Sequence, residues 1–340
     1  MINFTRMITA IDAHTAGEPL RIITSGLPPI KGNTILEKRK FMLKNYDDIR
    51  KMLMLEPRGH SGMYGCIITP PVTSDGDFGV LFTHNEGLST MCGHGIIAVT
   101  KVAIEVGMLK CTEGINVVKI DSPAGRIVAY ANIQNDKVQK ISFENVPSFV
   151  YAENIKVNVE GIGEVTADIA YGGAFYVYID AQKIGLTVDP KHIEKLVKIG
   201  MEIKYKVMDA MDVVHPIERG IKGIYGTIIT GPLNIKGDTI ESNNVCIFAD
   251  GQIDRSPTGT GTAGRVALLY KKGVMKKGMT LINKSIIDTI FEGKINDFTS
   301  ISNLDAVIPE VSGNAFITGF NQLVLDPDDP IPEGFRIIGG

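Results

Sequence analysis

The chain has 340 residues, 44% of them hydrophobic and 21% charged, with a formal net charge of −3. That length suits two domains with separate cores, and the charge balance gives no reason to expect a nucleic acid or a membrane surface as partner. No run of about 18 apolar residues could span a bilayer, and Met1 to Thr9 lacks the apolar stretch of a signal peptide, so a cytoplasmic location is expected. The four cysteines, Cys66, Cys92, Cys111 and Cys246, form no C-x-x-C pair, which argues against a disulfide framework or a structural zinc site.

In chain order, Met7 to Asp12 and Arg21 to Thr24 alternate like strands. The loop between them, Ala13-His14-Thr15-Ala16-Gly17-Glu18-Pro19, is too polar and too tightly bent for a plain hairpin, and His14 could either be bonded within the turn or line a site. Residues 33–55 read as one helical segment with charged outer positions. Arg58 and His60 follow in a Gly-rich loop, where support of the loop is the simpler role. Cys66 to Thr69 and Val80 to Thr83 are strands, the second delivering the chain to His84, which is left outside the candidate site.

Further on, Ile115 to Ile120, Arg126 to Ile133 and Val138 to Phe143 look like strands joined by Ser122-Pro123-Ala124-Gly125 and Asn135-Asp136 turns. Pro147 to Tyr151 reads as a crossing into the second domain. Strands are expected at Ile155 to Val159, Glu164 to Ile169, Ala174 to Asp180, Ile224 to Thr230 and Asn244 to Ala249, with an amphipathic helix over Pro190 to Met208. His192 and His215 read as surface and loop residues. The tail holds strand-like runs at Ala306 to Val311, Ala315 to Thr318 and Gln322 to Leu325.

The stretch that organises the chain is His84-Asn85-Glu86-Gly87-Leu88-Ser89-Thr90-Met91-Cys92-Gly93-His94-Gly95. It sets a cysteine at the mouth of a helix, Ile96 to Val106, that is apolar on nearly every face and so is expected to be buried. Gly107 looks like its stop. A helix N-terminus carries about half a positive charge and unpaired amides, which lowers a cysteine pKa from about 8.5 into the range of about 3.5–7.5. Gly93 and Gly95 leave the backbone bare to a small anion. Buried inert packing is the rival reading of Cys92, and the better one for Cys66, Cys111 and Cys246.

The arrangement recurs. Asp254-Arg255-Ser256-Pro257-Thr258-Gly259-Thr260-Gly261-Thr262 precedes a short helix, Ala263 to about Lys272, closed by Gly273. Gly107 and Gly273 each lie 15 residues beyond Cys92 and Thr258 respectively, so the chain reads as two related halves in which Thr258 takes the place of Cys92. Two such helices aimed at one cleft would clasp one anionic group between their N-termini.

These residues carry a resemblance. Met-Cys-Gly-His at 91–94, Asp-Arg-Ser-Pro-Thr-Gly-Thr-Gly at 254–261, Asp-Ala-His-Thr-Ala-Gly-Glu-Pro at 12–19 and Tyr-Gly-Gly-Ala-Phe-Tyr at 171–176 resemble the proline racemase family, in order and from about residue 8 to the C-terminus. Racemases and 4-hydroxyproline epimerases of that family normally carry cysteine at both motif positions. Thr258 departs from this and is similar to the trans-3-hydroxy-L-proline dehydratase branch, which pairs one cysteine with one threonine.

The resemblance implies an α+β fold of two pseudo-symmetric domains, each a mixed β-sheet or barrel wrapped around a central helix as in diaminopimelate epimerase, with the active site in the cleft between them. Residues 1–147, rejoined by 318–340, are expected as the first half and 148–317 as the second. The resemblance further implies that Cys92 takes an α-proton, that the amides of Gly93, His94, Gly259 and Thr260 hold the carboxylate, that Asp254 and the His94 side chain hold the ring nitrogen, and that the protein is a homodimer. Neither a cofactor lysine motif nor a cluster of metal ligands stands out, so no cofactor and no metal is expected.

Position 258 separates the reactions. An alkanol is far too weak an acid to replace a thiol of pKa about 8.5 on the face opposite the base. A carbanion formed there must recover its proton from Cys92 or expel a neighbouring hydroxyl, so dehydration of trans-3-hydroxy-L-proline by a hydro-lyase is expected. An epimerase or racemase using another acid, and a non-catalytic imino-acid-binding protein, are the alternatives.

Overall fold

The computed structural model describes residues 4–337, so positions 1–3 and 338–340 of the expected first half lie outside the described residues. The chain divides into two compact units, residues 1–141 with 314–340, and residues 142–313.

In the first unit, Arg6–Thr15 (β1) and Glu18–Ser25 (β2) lead to Ile35–Asn45 (α1) and Asp47–Met54 (α2). Tyr64–Thr69 (β3), Phe78–His84 (β4) and Gly87–Ser89 (β5) then deliver the chain to Gly93–Glu105 (α3), followed by Gly114–Ser122 (β6), Gly125–Gln134 (β7) and Lys137–Glu144 (β8), which crosses the junction. The second unit holds Ser148–Val159 (β9), Gly163–Tyr171 (β10), Phe175–Asp180 (β11), Ile193–Ala210 (α4), Gly226–Thr230 (β12), Asn234–Lys236 (β13), Thr239–Phe248 (β14), Gln252–Asp254 (β15), Gly259–Lys271 (α5), Thr280–Lys284 (β16), Ile290–Ile301 (β17) and Leu304–Gly313 (β18). Ala315–Leu325 (β19) returns to the first.

The expected internal symmetry is written in the pairing. In the first unit the order is β19-β1-β2-β3-β4-β6-β7, antiparallel except at β2/β3 and β4/β6, with β5 folded back on β4. In the second it is β9-β10-β11-β12-β14-β16-β17-β18, antiparallel except at β11/β12 and β14/β16, with β15 folded back on β14. There β18 pairs with β9 and closes the ring, which removes its sheet edges.

Each sheet wraps a central helix. Helix α3 packs on β1, β2, β3, β7 and β19, and α5 on β9, β10, β17 and β18. Every residue of α3 from Gly93 to Ala103 is buried, as the all-round apolar sequence requires. Ile96, Ile97, Val99 and Val102 are wholly inaccessible, and burial of each side chain stabilises the unit by about 1.5–3 kcal/mol. Both helices end alike. Gly107 (φ 77°) and Gly273 (φ 70°) take the left-handed conformation, and Leu109 N–H and Met275 N–H donate back to the carbonyls of Ala103 and Leu269.

Several expectations need correction. The segment 13–19 is a two-residue hairpin after all. Thr15 pairs with Glu18, and Ala16 (φ 51°) and Gly17 (φ 92°) supply the two positive φ angles a type I′ turn demands. Ala-Gly is an uncommon way to meet that demand, so the signal was weak. The helical segment 33–55 breaks at Tyr46, whose N–H closes on Met42 O. Thr34 caps α1 through Glu37 N–H while the Glu37 carboxylate accepts from Asn33 N–H. Pro147 to Tyr151 is no crossing segment, because β9 runs unbroken from Ser148, and the runs 315–318 and 322–325 are one strand, β19. Strands β5, β13, β15, β16 and β17 were not foreseen. β5, β13 and β15 are three residues long and become strands by folding back on a neighbouring strand, β17 is charged on its exposed side, and β16 pairs with β14 about 40 residues earlier.

Candidate functional site

Cys92 is the N-cap of α3. Its backbone is extended (φ −149°, ψ 107°), its carbonyl accepts from Ile96 N–H at 3.0 Å, and its Sγ accepts from Gly95 N–H at 3.2 Å. The thiol therefore occupies the place of a capping oxygen, where a helix favours negative charge. The His94 ring stands over it, with Nδ1 3.3 Å and Nε2 3.7 Å from Sγ. Both residues are buried. At Gly95, a Cβ would sit 2.8 Å from the Phe82 ring and 2.9 Å from Sγ, so only glycine leaves the sulfur its place.

A residue that the sequence analysis did not single out completes this mouth. Tyr64, the first residue of β3, meets the His94 ring edge to face at 4.9 Å, stacks on His84 at 5.6 Å and shares a 2.6 Å hydrogen bond between its hydroxyl and Ser89 Oγ. Its only signal was its place at the end of a Gly-rich loop. His84, set aside, supports the loop by accepting from Glu86 N–H. Burial, aided by the Arg50 and Arg39 charges, holds its imidazole down at about 4, so it is neutral at pH 7.

The second mouth is built from the same parts with one exchange. Thr258 is the N-cap of α5, and its carbonyl accepts from Thr262 N–H at 2.7 Å. Unlike the thiol, its side chain does not cap the helix. Thr258 Oγ1 donates instead to Asp254 Oδ2 at 2.8 Å, and Asp254 Oδ1 accepts from Ser256 N–H at 2.8 Å. The backbone at Thr258 (φ 63°, ψ 104°) is one a β-branched residue avoids, at a cost of about 1–3 kcal/mol. Asp254, Thr258, Gly259 and Thr260 are all buried, and Thr260 Oγ1 is bonded to Tyr176 Oη at 2.7 Å.

The two hairpin-tip motifs meet these mouths through packing. Thr15 Oγ1, at the tip of β1, donates to His94 O at 2.8 Å. Gly172 and Gly173, at the tip of β10, lie against the first turn of α5, where a Cβ on Gly172 would run into Thr260 O and Gly264 N. Asn145 Nδ2 donates to Gly172 O at 2.8 Å and ties that tip down. His14 is bonded within its own turn, accepting from Gly17 N–H at 3.2 Å. Arg58 supports its loop through Val324 O and Asp329. His192 is half-buried with its Nδ1 3.1 Å from Thr187 Oγ1, whereas His215 is buried against Phe149, Tyr171 and Phe175 and accepts from Ile217 and Glu218 N–H, so its loop is anchored in the core. Among the described residues, no group of three or more His, Cys, Asp or Glu is arranged to hold a metal ion, and no helix is long and apolar enough to cross a membrane.

Comparison with known proteins agrees with these motifs. The proline racemase family profile matches residues 10–336. Proteins named trans-3-hydroxy-L-proline dehydratase are similar along their whole length. One from Bacillus thuringiensis subsp. konkukian is 50% identical over 98% of this chain and 99% of its own, and one from Azospirillum brasilense is 44% identical over 99% and 100%. A crystal structure of a hydroxyproline epimerase from Agrobacterium vitis, with bound trans-4-hydroxy-L-proline, superposes with a TM-score of 0.90 at 29% identity, covering 99% of this chain and 97% of that one. A methylitaconate-delta-isomerase at 12% identity and TM-score 0.54 shares the fold alone. With its α+β halves, two buried helices that begin at Cys92 and Thr258, and a profile match over residues 10–336, the chain belongs to the proline racemase family.

Proposed function

We propose that the protein is a hydro-lyase that dehydrates trans-3-hydroxy-L-proline to Δ1-pyrroline-2-carboxylate and water without a cofactor. One observation carries the choice of reaction: the second helix mouth holds an alcohol, Thr258, bonded to Asp254, where the first holds a thiol. The relatives that bear the dehydratase name support the same reading.

The family resemblance implies that both mouths serve one substrate. The first-turn amides of Gly93, His94, Gly259 and Thr260, which no intrahelical carbonyl can reach, hold the carboxylate and take up the charge that spreads onto it as the α-proton leaves. Asp254 already accepts one bond at each oxygen, and each oxygen keeps a second lone pair for the ring ammonium, with His94 beside it. The Cys92 thiolate removes the proton from Cα. The electron pair left behind forms the Cα–Cβ double bond and expels the 3-hydroxyl, which departs as water with a proton. The enamine then tautomerises to the cyclic imine.

In the trans substrate the hydroxyl is on the same face as the α-hydrogen, so the proton that Cys92 takes can itself reach the departing oxygen in a syn elimination. Thr258 orients the ring or a water. The cytoplasmic location and the homodimer implied by the resemblance belong to the same proposal.

Incubation of the protein with trans-3-hydroxy-L-proline and o-aminobenzaldehyde tests this directly. The coloured adduct of the cyclic imine is the expected outcome, and its absence overturns the proposal. Activity is expected to survive dialysis against a chelator. The epimerase with bound trans-4-hydroxy-L-proline favours a second reading, epimerisation of that imino acid, which polarimetry with trans-4-hydroxy-L-proline would reveal. A non-catalytic binding protein would show neither turnover nor a thiol that reacts with iodoacetamide at low pH.

A further inference from the structure

A buried asparagine whose side-chain oxygen has no partner is found beside the strained Thr258. Asn244, on β14 and 1% exposed, donates from Nδ2 to Pro257 O at 3.2 Å while its Oδ1 is left without a hydrogen bond. An orphaned buried acceptor is destabilising, so the residue serves for its donor. Two more side chains converge on the same carbonyl, Thr262 Oγ1 at 3.2 Å and Asn283 Nδ2 at 3.4 Å. Asn283 is held in turn, donating to Thr262 Oγ1 at 2.9 Å and accepting from Arg265 Nη1 at 3.1 Å, and Arg265 is anchored by Ser242 Oγ at 2.6 Å. Thr262, Asn283 and Arg265 are all buried.

A carbonyl that accepts three side-chain donors fixes the peptide plane between Pro257 and Thr258. That plane sets φ of Thr258, and φ decides where its hydroxyl points. At a negative φ the threonine would be free to cap α5 as Cys92 caps α3. At 63° the hydroxyl lies on Asp254 instead. We infer that Asn244, with Thr262 and Asn283, is a positioning residue that holds the Thr258 hydroxyl on Asp254, where it orients the ring or a water, and keeps it from turning onto its own helix. The inference rests on the proposed dehydration for its kinetic consequence and on geometry alone for its structural one.

The test is Asn244→Leu, which removes the donor and the orphaned oxygen together and keeps the branching of the side chain. The melting temperature is expected to hold or rise, while kcat for trans-3-hydroxy-L-proline falls at least tenfold. The same change made on a Thr258→Val background is expected to cause no further loss, because the residue acts only through Thr258. Equal losses on both backgrounds, or an unchanged kcat, overturn the inference. A crystal structure of Asn244→Leu supplies a readout that needs no activity. Thr258 should have left positive φ or its bond to Asp254, and an unaltered Thr258 overturns the positioning role even if the wild type proves to catalyse another reaction. Should Asn244→Leu fail to fold, Thr262→Val removes the second donor at nearly constant shape and is read by the same measurements.

Discussion

Thr258 Oγ1 donates to Asp254 Oδ2 at 2.8 Å, so the residue that replaces the thiol of the first half is committed to a carboxylate and not to its helix. Beside that carboxylate a hydroxyl has no tendency to ionise, and a thiol in its place would remain protonated and able to deliver a proton. Thr258→Cys is therefore expected to gain α-proton exchange or epimerisation with proline or 4-hydroxyproline. Solvent-deuterium incorporation followed by NMR, or polarimetry, checks it. No exchange would mean that acid availability does not separate the activities.

Cys92→Ser is nearly isosteric and puts a capping oxygen where the sulfur caps α3, so the fold is expected to be retained. A hydroxyl cannot serve as the base near neutral pH, and dehydration should fall by about 10²–10⁴-fold or more. Circular dichroism checks the first expectation and the imine assay the second. A near-normal rate would exclude the thiol base.

Gly172→Ala and Gly95→Ala separate packing from chemistry. In the first, the new methyl group would meet Thr260 O and Gly264 N, backbone atoms that cannot yield, and overpacking of this kind costs about 1–3 kcal/mol. In the second it would meet Cys92 Sγ and the buried Phe82 ring, so activity should fall by more than stability alone explains. Urea melts alongside turnover distinguish the two.

His84 gives a pH dependence of known sign. Its folded-state value is about 4 against 6.5 in an unfolded chain. Between these values the unfolded chain binds a proton that the folded one refuses, so stability is lost as pH falls from about 6.5 towards 4 and is unaffected above that window. His84→Gln should flatten the slope of the urea midpoint across pH 4 to 6.5. An unchanged slope would place the titration elsewhere.

Much of this protein could be read from its residues because the relevant signals are local. The apolar run after Gly95, the stops at Gly107 and Gly273 and the cysteine and threonine set equally far before them show two buried helices with comparable mouths, since capping and left-handed stops depend on a few adjacent residues. The motif at 171–176 was legible too, though its reason was not, because a glycine's need is set by the helix turn that approaches it.

Pairing, and the direction in which a side chain spends its hydrogen bonds, came only with the tertiary structure. Strand β16 lies parallel to β14, about 40 residues earlier in the chain, and β18 meets β9 to close the ring. Tyr64 reaches His94, and Asn244 reaches Pro257, across separations over which no periodicity carries information. The sequence sets cysteine and threonine at matching positions but does not say where each side chain turns. Only the folded backbone, extended at one and at positive φ at the other, turns the sulfur onto its helix and the hydroxyl onto Asp254.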